Sequence, residues 1–208
     1  MAKITQIKQN VKNKNKASVF ADGEFLCSVT FESIVNGRLK EGDEIDEAKL
    51  KLVLEESEKQ LAFQKGVESV CRNLKTQKQI EEMLTKKGYS PDVVKNAVEK
   101  MKEYRYVDDE EYVRCFCETY KNAKGKKRIK YELKLKGICD EHLVLIDEFI
   151  DSQEEAVFKA AEKFMKNRNA DKDTLQKLFR HLAGKGFEFD LCRKAVENFS
   201  SDEVGDDF

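Results

Sequence analysis

Six cysteines and two histidines are the side chains in this sequence best suited to bind a metal ion. No Cys-x-x-Cys spacing occurs, and Cys115 and Cys117, two residues apart, would point in different directions on a helix. We therefore expect no metal site and interpret the cysteines as buried free thiols of a reducing compartment. The residues concerned are Cys27, Cys71, Cys115, Cys117, Cys139 and Cys192, with His142 and His181.

Four consecutive carboxylates, Asp108, Asp109, Glu110 and Glu111, have the chemistry to bind a cation or transfer a proton. They stand at the start of a predicted helix, where acidic side chains offset the positive end of the helix dipole, and we favour this capping role. The sequence contains no phosphate-binding loop, nucleophile elbow, paired-histidine metal helix or dinucleotide-binding fingerprint. We predict a protein with no catalytic residue and no cofactor, and therefore not an enzyme.

Residues 121–136 form the most basic segment, with eight Lys or Arg against one acid, Glu132. Gly125 is expected at or near a helix N-cap, where backbone N–H groups and cations would meet. Cations at the positive end of a helix reduce its stability, which favours an anionic partner, either a phosphate or a carboxylate-rich protein surface. The alternative is a solvated Lys-rich helix face. The candidate partner- or DNA-binding residues are Lys124, Lys126, Lys127, Arg128, Lys130 and Lys134.

The composition of the 208-residue chain suits an array of small helical units better than one deep core. Charged residues make up 38% of the chain, whereas Pro occurs once and Trp is absent. The net charge is −1, so an anionic partner must be attracted by segregated charge. With no apolar run near the ~20 residues of a membrane span and no signal-peptide pattern, we expect a cytoplasmic monomer without membrane contact.

A 49-residue period runs through the chain from about residue 58. Gly88, Gly137 and Gly186 each follow a Lys and are predicted to end a helix in the left-handed conformation. Four residues before each glycine stands a Leu, Leu133 in the middle repeat, which is predicted to face the core. Twelve residues before each glycine stand the expected N-cap residues, Thr76, Gly125 and Thr174. The repeated columns predict tandem helical repeats.

Each repeat is predicted to contain three helices, the first of them at Glu58–Leu74, Asp109–Asn122 and Glu154–Lys166. Before the repeats, Asp22-Gly23 between two strand-like runs predicts a type I′ hairpin. A short helix near Phe31–Asn36 and a longer one from about Asp46 should follow. The expected fold is mainly α, an elongated and curved array of three-helix repeats with a small N-terminal β-hairpin. Its parts are a hairpin and helix extension at 1–57, repeats at 58–107, 108–153 and 154–200, and an acidic disordered tail at 201–208.

The middle repeat resembles the signature of the RecX family, bacterial modulators of the RecA recombinase. Residues 106–112 read YVDDEEY and residues 124–138 read KGKKRIKYELKLKGI. They are similar to the family pattern Y-L-D-D-E-x-[FY] followed by G-x-x-x-I-x-x-E-L-x-x-K-G-I, with Val107 in place of the usual Leu. The hairpin segment is similar to an extension present in part of the family. The resemblance covers essentially the whole chain, and its structural motif residues are Gly88, Gly137, Gly186, Asp108, Asp109 and Leu133.

The resemblance implies an arc of three modules that lies in the helical groove of a RecA filament on single-stranded DNA. By bridging RecA protomers, such a protein would restrain filament growth, ATP turnover, strand exchange and the co-protease role in the SOS response. Many family members are more basic than this chain, which argues against strong independent DNA binding. Two alternatives remain open: a stand-alone DNA-binding helical repeat module and a general protein-interaction scaffold.

Overall fold

The computed structural model describes residues 2–11 and 13–201, in two compact units, Met1–Val107 and Asp108–Phe208. The predicted acidic tail lies outside the described residues, apart from the backbone of Ser201. The fold is mainly helical with a small N-terminal sheet, which confirms the predicted fold class. None of the described helices combines the length and the apolar character that crossing a membrane requires.

The N-terminal sheet is antiparallel and has the strand order β3-β2-β1-β4. Asp22 and Gly23 both have positive φ, 50° and 87°, as the predicted type I′ turn between β2 and β3 requires. The alternate side chains Ala17, Val19 and Ala21 of β2 are buried. The strands are β1 (Ala2–Gln9), β2 (Lys16–Ala21), β3 (Glu24–Thr30) and β4 (Glu44–Ile45).

Two helices complete the N-terminal region, α1 (Phe31–Asn36) and α2 (Glu47–Val70), the second capped by Asp46. The prediction of a separate helix beginning at Glu58 is wrong, and the expected boundary between 57 and 58 falls inside α2. Ser57 explains the continuity because its hydroxyl accepts the backbone N–H of Thr30 on the sheet, 2.9 Å away, while its backbone stays helical. One helix therefore serves both the sheet and the first three-helix unit.

The remaining helices form the three-helix units. The first unit joins the C-terminal half of α2 to two helices, and the second and third units follow in the Asp108–Phe208 region. The helices are α3 (Gln77–Lys86), α4 (Pro91–Glu103), α5 (Asp109–Tyr120), α6 (Lys126–Leu135), α7 (Asp140–Leu143), α8 (Ile146–Phe149), α9 (Glu154–Met165), α10 (Lys172–Gly184) and α11 (Phe189–Ser201).

The three periodic glycines end α3, α6 and α10 in the same way. Gly88, Gly137 and Gly186 have φ of 89°, 88° and 86°, which confirms the left-handed conformation predicted for them. In the middle unit the N–H of Ile138 donates to the carbonyl of Leu133 and the N–H of Gly137 to that of Lys134, at 3.1 and 3.0 Å. The same two bonds recur in the other units, so each helix ends in a Schellman motif.

Two local expectations are wrong. The third helix of the middle repeat is split into α7 and α8, joined by i→i−3 bonds such as Leu145 N–H to His142 O at 3.2 Å. In the third repeat the N-cap of α10 is Asp171, three residues before the expected cap Thr174, because the side chain of Asp171 accepts the Thr174 backbone N–H at 2.8 Å.

The described cysteines are free thiols, as predicted, but not all of them are buried. Cys27, Cys117 and Cys192 lie in cores, and burial raises the pKa of Cys117 to about 11. Cys71 and Cys139 are exposed because they stand at helix ends that face solvent, so the expectation of burial is wrong for them.

Candidate binding surface on the second three-helix unit

Helix α6 carries most of the residues that the sequence singles out for binding. Its Ile129 and Leu133 are fully buried in the core of the second unit. This inward pair turns Arg128, Tyr131 and Leu135 to the opposite side, where the spacing i, i+3, i+7 aligns them in one stripe. Tyr131 is 55% exposed and Leu135 is 66% exposed.

The N-terminus of α6 is closed by hydrogen bonds from the chain itself. The backbone N–H of Lys126 donates to Gln153 Oε1 at 2.8 Å, and that of Lys127 donates to the Gly186 carbonyl at 3.2 Å. Gly125 is the N-cap, as predicted, and its own N–H donates to the Lys185 carbonyl at 2.9 Å. The expectation that free N–H groups meet cations here is therefore wrong, because the third unit already satisfies these donors.

Gln153 is a structural residue that the sequence patterns do not reveal. It is 4% exposed, and its Nε2 donates to the carbonyls of Lys121 and Lys124 at 2.9 and 2.8 Å. With its acceptor bond to Lys126, one amide joins the α5–α6 loop to the start of α9. Its partners lie about thirty residues away in sequence, so no local signal identifies it.

Most cations of the basic segment are paired with carboxylates. Lys124 and Arg128 both reach Glu132, at 2.6 and 2.8 Å. The hydrogen bond from Lys124, reinforced by Arg128, lowers the pKa of the Glu132 carboxyl below its ordinary value. The other ion pairs are Lys126–Asp147 at 2.9 Å, Lys127–Glu188 at 2.8 Å and Lys134–Asp140 at 2.8 Å.

Two of the six candidate cations hold the unit together, since the side chains of Lys124 and Lys126 are only 27% and 25% exposed. The ammonium of Lys124 lies 3.8 Å from the Tyr120 ring centroid, a cation–π contact. Lys130 differs from both because it is exposed and forms no ion pair with any residue in the described ranges. The structure therefore separates the six candidates into inward and outward cations.

The outward cations surround exposed apolar side chains. The guanidinium of Arg128 lies 5.7 Å from the Tyr131 ring centroid, and the Lys127 ammonium lies 4.4 Å from that of Phe189, which is 57% exposed. Tyr131, Leu135 and Phe189 were not predicted as site residues, although the helical spacing of the first two from Arg128 is a usable signal. We call the α6 surface the set Lys127, Arg128, Lys130, Tyr131, Lys134, Leu135 and Phe189.

The carboxylates at the start of α5 occupy the N-cap and the first turn of the helix. Asp108 is the N-cap and accepts the backbone N–H of Glu111 at 3.1 Å, as predicted, and Asp109 is the first helical residue. Glu111 pairs with Arg114 at 2.7 Å, which lowers the pKa of its carboxyl. Within residues 2–11 and 13–201, no three His, Cys, Asp or Glu side chains are grouped to hold a metal ion.

Comparison with known proteins identifies the family. Three family models match the chain: the regulatory protein RecX N-terminal domain at residues 2–46, the second three-helix domain of RecX at 108–143 and the third at 151–196. The chain belongs to the RecX family of regulatory proteins. It is 33% identical to regulatory protein RecX of Clostridium perfringens strain SM101, over 98% of this chain and 99% of the relative. Identity to RecX of Bacillus subtilis strain 168 is 29%, over 96% and 79%.

Two solved RecX structures share the fold. A crystal structure of regulatory protein RecX superposes with a TM-score of 0.78 and 22% identity, covering 95% of this chain and all of the other. The crystal structure of RecX from Lactobacillus salivarius gives 0.61 and 22% identity, covering 69% and 97%. The three-helix units described above are thus the RecX architecture.

Proposed function

We propose that this protein is a non-catalytic regulator that binds the RecA filament assembled on single-stranded DNA. By bridging neighbouring protomers in the groove, it would modulate or inhibit the ATPase, strand exchange and co-protease activities of RecA in recombination and the cytoplasmic SOS response. The observation that carries this proposal is the stripe of Arg128, Tyr131 and Leu135 on the outward face of α6, flanked by Lys130 and Lys134.

The chemistry of the α6 surface suits a macromolecular partner. Exposed tyrosine and arginine side chains are the residue types that supply most binding energy in protein interfaces. Flanking lysines attract phosphates or carboxylates without requiring a basic protein overall. A nucleoprotein filament presents both protein and phosphate, which fits a surface where apolar and cationic groups alternate.

The test is the effect of the purified chain on RecA. We expect stoichiometric amounts to change DNA-dependent ATP hydrolysis and strand exchange, and electron microscopy of the mixed filament to reveal density in its groove. Unchanged RecA activities together with empty filaments would overturn the proposal. A pull-down that enriches another protein and no RecA would favour a general scaffold instead.

A further inference from the structure

Three aromatic side chains of the first compact unit pack against one another at its surface. The ring centroids of Phe63, Tyr104 and Tyr106 lie 6.0 to 6.5 Å apart, and the two tyrosines are 60% and 43% exposed. With Gln64 and Lys100 they line an open cleft of about 260 Å³. We call this the aromatic cleft. Its size suits one flat ring and not a larger ligand, since small-molecule sites usually exceed about 300 Å³.

An unusual turn presents the two tyrosines. Arg105, between them, has φ of 56° where the comparable helix ends carry glycine. The N–H of Tyr106 donates to the carbonyl of Met101 at 2.8 Å, so α4 ends in a Schellman motif whose left-handed residue is an arginine. A non-glycine residue in this conformation costs roughly 1–2 kcal/mol. Glycine would avoid this cost, so the arginine at this position agrees with a role for its side chain in binding.

A cation, an amide and a carboxylate surround the rings. Lys100 lies with its ammonium 5.0 Å from the Phe63 centroid, and neither it nor Arg105 forms an ion pair with a carboxylate in the part of the chain that the structure describes. The amide of Gln64 has no hydrogen-bond partner among those same residues. The carboxylate of Glu32 also lines the cleft. It accepts hydrogen bonds, and the amino groups of bases donate them.

We propose that the aromatic cleft binds an unpaired base of single-stranded nucleic acid. The base stacks on Tyr104 or Tyr106, Gln64 and Glu32 contact its edge, and Lys100 and Arg105 bind the adjoining phosphates. Stacking on aromatic rings beside a cationic path is how single strands are held without base pairing. The site goes beyond the function proposed above because it requires neither RecA nor the α6 surface.

An apolar side chain of a protein is the other occupant that such a cleft admits. The observations favour the base for two reasons. Lys100 lines the cleft and Arg105 stands in the chain between its two tyrosines, and neither has a carboxylate partner in the described ranges, so an anionic chain would neutralise both. The edge groups Gln64 and Glu32 offer hydrogen bonds that the edge of a base can use and an apolar side chain cannot.

The test uses the full chain without RecA and single-stranded oligonucleotides of about 12 nucleotides, in DNA and RNA forms, each with a central 2-aminopurine. Binding is expected to quench 2-aminopurine fluorescence through stacking. Tyr104→Ala or Tyr106→Ala should raise Kd by roughly five- to 150-fold, the range for one stacked base. Comparison of Kd for the DNA and RNA oligonucleotides decides which nucleic acid is preferred.

Arg105→Gly separates binding from folding. Glycine adopts the left-handed conformation at little cost, so the variant should be at least as thermally stable as the wild type. Its Kd should rise. The slope of log Kd against log salt concentration, measured between roughly 50 and 200 mM, should fall by the contribution of about one phosphate contact. Phe25→Ala, at an aromatic side chain of the N-terminal hairpin that is 60% exposed and does not line the cleft, is the matched control and should bind normally. Wild-type protein that fails to quench at low salt, or cleft variants that bind like the wild type, would overturn the proposal.

Discussion

Gly125 and Gly186 lie backbone against backbone, although 61 residues separate them. A Cβ atom on Gly125 would stand 2.0 Å from the carbonyl of Gly186, and one on Gly186 would stand 2.4 Å from the backbone nitrogen of Arg128. This contact joins the cap of α6 in the second unit to the end of α10 in the third. Two backbone hydrogen bonds form beside it, from Gly125 N–H to the Lys185 carbonyl and from Lys127 N–H to the Gly186 carbonyl.

Replacing Gly125 by alanine should destabilise the second compact unit. The φ of Gly125 is −72°, so the cost comes from the lack of space and not from backbone conformation. We expect a loss of about 1–3 kcal/mol, the usual effect of overpacking, measured by urea denaturation. Gly184→Ala is the matched control: it meets nothing within 4 Å and stands in a helix, so it should gain about 0.5–1 kcal/mol. Equal stability of Gly125→Ala and wild type would contradict the packing argument.

Tyr131→Ala should weaken association with the RecA filament by roughly tenfold or more without changing thermal stability, because the ring is exposed and its loss leaves no cavity. Filament co-sedimentation measures the affinity. Val144→Ala, 60% exposed in the same unit but outside the α6 surface, is the control and should bind like the wild type. If both variants bind equally well, Tyr131 does not belong to the interface.

Lys130→Glu should weaken filament association with less disturbance of the fold than charge reversal at Lys126 or Lys127. The last two lysines pair with Asp147 and Glu188, so their reversal also places like charges together within the unit. Lys130 forms no ion pair among the described residues, and its one charged neighbour there with a resolved effect is the exposed Asp140, so its reversal acts mainly on the outer field. Association should fall most at low salt, while far-UV circular dichroism and melting temperature stay unchanged. Salt-independent or unchanged association would remove Lys130 from the surface.

Glu132→Gln should lower the free energy of unfolding near neutral pH, and its effect should be smaller at acidic pH. The folded-state pKa of Glu132 lies below the ordinary value of 4.5, so its ionised form stabilises the fold above that pH. The contribution, about 1 kcal/mol for a partly exposed pair, is lost as the pH falls through the folded-state pKa. The gap in unfolding free energy between wild type and variant should therefore narrow from about pH 7 to pH 4. Glu99→Gln, whose partner Lys95 is 4.0 Å away and exposed, should show no such gap. A gap that stays constant with pH would rule out the ion pair as its cause.

Thiol accessibility tests the packing of the cores. Cys71 and Cys139 are exposed and should react rapidly with an aromatic disulfide reagent in the native protein. Cys117 should react slowly because it is buried and its pKa is raised to about 11, which leaves little thiolate near neutral pH. Rapid reaction of Cys117 in the folded state would contradict the structure of the second unit's core.

Structural features that depend only on a few neighbouring residues were predictable from the sequence. Gly88, Gly137 and Gly186 end their helices as expected, because a left-handed residue after a Lys needs only its own backbone and the preceding turn. The same holds for the Asp22-Gly23 turn and the Asp108 cap. Where a local prediction was wrong, a nearby residue had taken the predicted role, as Asp171 is the N-cap of α10 in place of Thr174.

The sequence by itself determined the repeat, the helix ends at its three periodic glycines and its likeness to the RecX family, since each depends on residue types at short, regular spacing. Only the tertiary structure decided which charges of the basic segment are available to a partner. Lys127 is paired by Glu188, and the start of α6 is closed by Gly186 and Gln153, contacts that span 27 to 61 residues. The aromatic cleft likewise unites Phe63 with Tyr104 and Tyr106, which lie on separate elements. These groups come into contact only when the chain folds, and the periodic sequence pattern does not predict such long-range contacts.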